Sequence, residues 1–266
     1  MQVRNDVLFH ALHTDGLLML ANCWDAGSAR IAAAAGARAL ATSSAAVAWS
    51  HGFADGSTLP RELLLASVKG ILRASSLPLT VDAEDGYSDD PAQAAALAGE
   101  LIDAGVVGIN IEDGSGTPAL LADKIRAIRA LAEARGVNLF INARTDVYLR
   151  GFGAGAPVAE VMRRAAVYEE AGASGLFVPG IVSADDIAAV AGATRLPLNV
   201  MVRDGVPAPA RLMQLGARRL SAGSAISEAM FGCVDALTRR FLESGKVNEA
   251  GLPQLGYGAL NSLMSD

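Results

Sequence analysis

The sequence predicts an α/β protein built as a closed (β/α)8 TIM barrel, and three observations predict it. Short apolar runs alternate with helix-period stretches eight times along the chain, which implies parallel strands joined by helices. Eight such units in 266 residues also match the usual size of that barrel, about 250 residues. Finally, three runs end on charge: LPLTV on Asp82, Glu84 and Asp85, VGINI on Glu112 and Asp113, LFINA on Arg144 and Asp146. The carboxyl ends of parallel strands are where such barrels hold ligands, and buried carboxylates need a partner or a cation. An open doubly wound sheet is the competing architecture, but NCWDAGSA after the first run lacks the GxGxxG phosphate turn. Residues 1–266 therefore read as a single barrel domain, with 224–266 as its C-terminal helix and tail.

The first strand is Leu17 to Cys23, and Asp25 with Ser28 opens a helix that ends near Gly36. Arg38 to Ser44 is the second strand. Ala45 to Leu59 reads as a long connection carrying Trp49, His51, Asp55 and Gly56, and connections of that length are usually functional or mobile. Pro60 stands where a helix starts, and ELLLASVKGILRAS repeats apolar residues three and four apart. The third strand ends in VDAEDGY. Asp90-Pro91 opens the next helix, Ala92 to Ala104, closed by Gly105. The fourth strand runs to Glu112, and LLADKIRAIRALAEARG is an amphipathic helix closed by Gly136. The fifth strand runs to Arg144, followed by a helix from Pro157 to Ala171. The sixth is Gly175 to Gly180, with a short helix capped by Ser183, and the seventh is Pro197 to Val202, with a helix from Pro207 to Gly216. Arg218 to Gly223 is the eighth strand, a long helix covers Ser224 to Glu243, and the tail is loop-like with a final turn.

Composition removes several function classes. The net charge is −6 with a pI near 5.1, and no basic cluster is present, so nucleic acid and polybasic membrane attachment are excluded as partners. Cys23 and Cys233 have no metal-type or disulfide-type spacing. The N-terminus lacks the apolar core of a signal peptide, and Ile31 to Trp49 is broken by Arg38 and Thr42 to Ser44, short of the roughly 20 apolar residues of a span. A cytoplasmic location is expected.

The barrel gathers Ser43, Ser44, Asp82, Glu84, Glu112, Arg144 and Asn199 at one mouth. Carboxylates at that density suit a hard divalent cation, and Mg2+ keeps several waters and few protein ligands. Arg144 offers a donor fork for a carboxylate, so cation and guanidinium together imply an anionic substrate. Ser221-Ala222-Gly223-Ser224 has the small-residue make-up of an eighth-strand phosphate cradle, which a chain this rich in alanine and glycine also produces by composition.

With NCWDAGSA, ATSS, GFADG, VDAEDGY, IED and NARTD in that order, the sequence resembles the isocitrate lyase/phosphoenolpyruvate mutase superfamily over nearly its whole length. The resemblance implies a magnesium-dependent enzyme that works through the enolate of a 2-oxo acid. It implies Asp82 as the direct metal ligand, with Asp55, Glu84 and Glu112 acting mainly through metal-bound water. Asp55, Glu112 and Arg144 become the expected catalytic residues. Ser43, Ser44, the Ala45 amide, Asp82, Arg144 and Asn199 become the expected substrate-binding set, with Arg144 on the distal part. Relatives exchange their last helix between subunits, so 224–266 is expected at the interface of a homodimer or homotetramer.

Departures narrow the expectation. The lyases that cleave isocitrate or methylisocitrate carry a cysteine loop of the KKCGH type after the fourth strand, whereas this chain has Gly114 to Ala119 without cysteine, lysine or histidine. Those two activities are not expected. Glu84 replaces an aspartate, Ser44 a glycine, and Pro179 stands near where relatives place a polar group. What remains is a C–C lyase or decarboxylase of the oxaloacetate type. The alternatives are a P–C enzyme, mutase or hydrolase, acting on phosphonopyruvate or phosphoenolpyruvate, and a barrel that binds 2-oxo acids without turning them over.

Overall fold

In the computed structural model, which describes residues 4–153, 155–247 and 254–265, the apolar runs become short parallel strands. They are β1 (Leu18–Leu20), β2 (Asn22–Cys23), β3 (Leu40–Thr42), β4 (Leu79–Asp82), β5 (Gly108–Glu112), β6 (Phe140–Arg144), β7 (Gly175–Phe177), β8 (Leu198–Met201) and β9 (Ala217–Ser221). Each strand from β2 to β8 pairs with the next in the chain, and β9 pairs with β1. The pieces β1 and β2 are one predicted strand interrupted at Ala21, so the chain itself completes the ring. This is the (β/α)8 barrel.

The helices are α1 (Asn5–Ala11), α2 (Ala26–Ala34), α3 (Ser44–Ser50), α4 (Arg61–Ala74), α5 (Pro91–Ala104), α6 (Pro118–Ala134), α7 (Val147–Arg150), α8 (Pro157–Glu170), α9 (Ala184–Ala193), α10 (Pro209–Gln214), α11 (Ala225–Ser244) and α12 (Tyr257–Ser265). Local chemistry starts them. Asp25 accepts from the Ser28 amide while the Ser28 hydroxyl accepts from the Asp25 amide, a closed capping box. Asp90 and Thr117 cap α5 and α6, each followed by proline at the first helical position.

Strand alternation then sorts the side chains. Outward residues such as Val81, Ile109, Ile141, Leu176 and Val200 are buried against the helices in the main core. Inward residues form layers along the barrel axis. Leu18, Leu20, Ala41 and Phe140 pack at the base with Phe9 of α1, which plugs that end. The base is tight because two inward positions are glycine. A Cβ on Gly108 would lie 2.8 Å from the Phe9 ring, and one on Gly175 would lie 2.8 Å from the Phe140 ring. His13 closes the plug by stacking on Phe140 at 4.0 Å between centroids. Above this lie Asn110, Asn142, Asn199 and Arg219, all buried, and the charged residues stand at the mouth.

The structure differs from the sequence reading at four places. The expected connection from Ala45 to Leu59 begins as α3, because Ser43 caps the alanine-rich run that follows. α1 and the single turn α7 form where no helix was expected, and the C-terminal tail contains α12, which packs on α2. Residues 248–253 and 266 of that tail lie outside the described residues. No described helix is long and apolar enough to cross a membrane.

Candidate active site

The turn from β3 into α3 is one residue long, and this aims the first amides of α3 at the mouth. Ser44 donates to Asp82 Oδ2 twice, from its amide at 3.2 Å and its hydroxyl at 2.9 Å. Ser43 faces the helix instead, capping the Ala46 amide at 3.4 Å. Asp82 ends β4. Its amide donates to Thr42 Oγ1 at 2.9 Å, and its Oδ1 receives Asn110 Nδ2 at 3.4 Å. Asp82 is thus held on both oxygens, yet it still borders the central cavity.

Beyond Asp82 the chain turns through left-handed backbone at Glu84 (φ 51°) and Tyr87 (φ 59°), conformations that cost free energy for residues with a Cβ. The Glu84 carboxylate accepts from the amide and hydroxyl of Ser57 and from the Tyr87 hydroxyl. Glu84 therefore ties the 53–58 loop to the barrel, using the extra methylene that an aspartate would lack. Burial raises its carboxyl above the usual range, with the bonds from Ser57 and Tyr87 opposing.

Glu112 ends β5 and Arg144 ends β6, directly paired in register. Arg144 Nη1 lies 2.6 Å from Glu112 Oε2, although that oxygen has no hydrogen bond of good geometry. The remaining Arg144 donors hold Asp146, at 2.8 and 3.2 Å, and its guanidinium lies 5.8 Å from the Phe177 ring centre. One guanidinium thus serves two carboxylates, with Asp82 and Glu84 nearby. Burial pushes Glu112 up to about 8, the Arg144 charge opposing and Asp82, Asp146 and Glu84 adding to it. Burial lowers and the surrounding carboxylates raise Arg144, for a net rise.

A cavity of about 150 Å³ opens over this set, lined by Ser43, Ser44, Ala45, Asp55, Asp82 and Arg144 of the predicted residues. A larger one of about 530 Å³, lined by Glu84, Glu112, Lys124 and Arg150, lies beside it. The Glu112–Arg144 pair stands between the two. A volume of 150 Å³ is below the range of drug-sized pockets and suits a small acid. Asn199 does not join the site: it is fully buried, with Nδ2 on Val200 O and Ser221 Oγ and Oδ1 on Asn142. It lies in the amide layer below because β8 reaches the cavity with Met201, two residues further on.

Sequence reasoning missed Asn22, Asn110, Phe177 and Met201, which line the same cavity. It read Asp113 only as charge at a strand end, whereas Asp113 accepts from Thr145, Arg164, Tyr168 and the Asp146 amide and thereby anchors the strand ends behind Arg144. A strict two-residue alternation would have found Asn110 and Met201, which share inward parity with Glu112 and Asn199, whereas Phe177 follows from its register opposite Arg144.

Among the described residues, no three His, Cys, Asp or Glu side chains are placed to hold one ion directly. Asp82, Glu84 and Glu112 are accordingly not a three-carboxylate cage. The donor set nevertheless fits magnesium, which binds through one or two carboxylates and keeps its water. Asp82 and Glu84 have no ion pair among the described residues, and a divalent charge beside them would offset theirs.

A parallel barrel whose strands end on carboxylates around one guanidinium and a small cavity carries this cluster where (β/α)8 barrels place their active sites, at the carboxyl ends of the strands. The family model for phosphoenolpyruvate phosphomutase matches residues 9–242, and the chain belongs to that family. An uncharacterised protein of Mycobacterium tuberculosis is 38% identical over 226 residues, 81% of each chain. The oxaloacetate decarboxylase of Bradyrhizobium diazoefficiens is 30% identical over 207 residues, 75% of this chain and 68% of the relative. A crystal structure from Burkholderia cenocepacia J2315, provisionally named a phosphonomutase, is 39% identical, with a TM-score of 0.84 over 89% of this chain and 98% of its own.

Proposed function

We propose that the protein is a magnesium-dependent enzyme that decarboxylates oxaloacetate or a closely related 2-oxo dicarboxylate through an enolate. The observation that carries this reading is the mouth itself: Asp82 held by Ser44 and Asn110, and the Glu112–Arg144 pair beside a cavity of about 150 Å³. The short loop without cysteine, Gly114 to Thr117, supports it by removing the acid that isocitrate-type cleavage requires.

Asp82 would hold the cation directly, with Asp55, Glu84 and Glu112 acting through its water. The bound cation supplies Lewis-acid stabilisation of charge developing on the 2-oxo oxygen. The residues do the rest. Ser43, Ser44 and the Ala45 amide orient the carboxylate next to the oxo group. Arg144 positions the distal carboxylate so that the C3–C4 bond stands across the plane of the carbonyl. Carbon dioxide leaves, the electron pair moves into the C2–C3 bond, and the 2-oxo oxygen becomes the enolate oxygen. Glu112, at the end of β5 beside Arg144, passes a proton to C3 from the water it holds and yields the 2-oxo monoacid.

Phosphorus–carbon chemistry is the second reading, favoured by the 39% identity to the Burkholderia structure. Proton and phosphorus NMR with Mg2+ and either oxaloacetate or phosphonopyruvate separates the two. Pyruvate formed from oxaloacetate faster than in a protein-free blank supports decarboxylation, and phosphate or phosphoenolpyruvate from phosphonopyruvate moves the assignment. D82A should abolish turnover and Mg2+ binding; unchanged binding would remove Asp82 from the site.

The C-terminal region 224–266 supports an assembled form. α11 buries only Ser227 and exposes Ile226, Val234, Phe241 and Leu242. A 20-residue helix with so little buried surface is poorly stabilised without a partner, and the proposed partner is a second copy in a homodimer or homotetramer.

A further inference from the structure

Among the described residues, Arg219 is a buried cation without an ion pair. It sits mid-barrel on β9, 1% exposed, the largest of the fully buried side chains, a place where arginine is rarely found unless paired. Nη2 donates to Asn110 Oδ1 at 3.2 Å, while Nε and Nη1 have no acceptor among the described residues. Asn142 Nδ2 donates to the same Asn110 oxygen at 2.9 Å, and the two donors fix that amide so that its Nδ2 faces Asp82 Oδ1. Below Arg219, His13 carries no charge at neutral pH: burial, and then Arg219 itself, push it down to about 3. The carboxylate whose field reaches Arg219 is Asp82.

A buried pair can be replaced by apolar residues at little cost, so packing does not explain an unpaired cation here. Its position does. One amide separates it from Asp82, placing its charge on the order of 10 Å from anything bound at the mouth, where unit charges in a protein interior still interact by roughly tenfold in affinity.

We propose that Arg219 is a fixed counter-charge that weakens binding of a divalent cation alone and strengthens binding of a dianionic acid once the cation is present. The mouth then fills with both charges together. This rests on the reading of Asp82 as the metal ligand. With cation and dianion both bound the ligands are neutral as a pair, so the two effects of Arg219 cancel in the full complex and show only in the separate steps.

The test is R219M, followed by Mn2+ binding in paramagnetic resonance and by calorimetry of oxalate at saturating Mn2+. R219M should bind Mn2+ alone about tenfold tighter or more, and oxalate about tenfold weaker. Both affinities falling together, or neither changing, would overturn the proposal and leave Arg219 a structural residue. If R219M does not fold, R219Q keeps a donor for Asn110 without the charge and carries the same comparison. The underlying reading fails separately: D82A that binds Mn2+ as the wild type does would overturn it whatever R219M shows, and the proposal with it.

Discussion

Substituting Glu112 by glutamine tests whether burial outweighs the neighbouring guanidinium in setting its protonation. The folded-state value is about 8, against 4.5 for the free side chain. The native chain therefore keeps a proton on Glu112 that the unfolded chain has already released. Its contribution to stability is fully present below the unfolded value and disappears as pH rises through 8. Evaluated between pH 7 and 9 for a native value of 8, the loss is about 1.4 kcal/mol in the wild type and zero in E112Q. That window avoids the histidines. His13 and His10 are depressed by burial, and their opposite effect, stability gained with rising pH, is complete near pH 7. Cys23, raised by burial to about 12, acts equally in both proteins. Urea unfolding in chelator at pH 7, 8 and 9 gives the comparison. Parallel curves for wild type and E112Q would refute the argument and show that Arg144 holds Glu112 ionised. Added Mg2+ should flatten the wild-type curve, because a nearby cation favours the carboxylate.

Three further outcomes follow from named contacts. D113N leaves Arg164 buried with a weakened partner and loosens Asp146 behind Arg144; it should cost about 3–5 kcal/mol in urea unfolding, and Mg2+ should not restore it. N199A should cost about 1–3 kcal/mol through broken amide bonds with KM within twofold of wild type, whereas a tenfold rise in KM at unchanged stability would put Asn199 back among the ligand contacts. Light scattering at micromolar concentration should show a dimer or tetramer, and replacing Phe241 and Leu242 together by Glu should shift it toward monomer; a wild-type monomer would remove the assembly proposal.

The barrel was legible because its signals are local and repeated. Each apolar run is followed by a turn or helix signal, and Asp25, Asp90 and Ser183 mark helix starts by the chemistry of one side chain, whereas the Thr117 cap emerged only in the structure. The mouth carboxylates and Arg144 were legible because charge at the end of an apolar run is anomalous. Asn199 misled because a polar residue on a strand does not announce its depth along the barrel axis, and the layer boundary falls between it and Met201. Arg219 was illegible for the opposite reason. In RRLSAG two adjacent arginines look like a solvated pair, and only the strand parity shared with Ser221 sends the second one inward. α1 and α12 depend on surfaces they cover, Phe9 over the barrel base and α12 against α2, and no pattern within their own residues reports that.

The connection from β5 to α6 is only Asp113 to Thr117, closed by a turn in which the Gly116 amide donates to Asp113 O, while the Asp113 side chain is anchored under Arg164 and Tyr168. A segment this short and this tethered cannot fold across the mouth. Cover over a bound acid must then come from another segment, such as residues 53–58, which the Ser57 hydroxyl ties to Glu84.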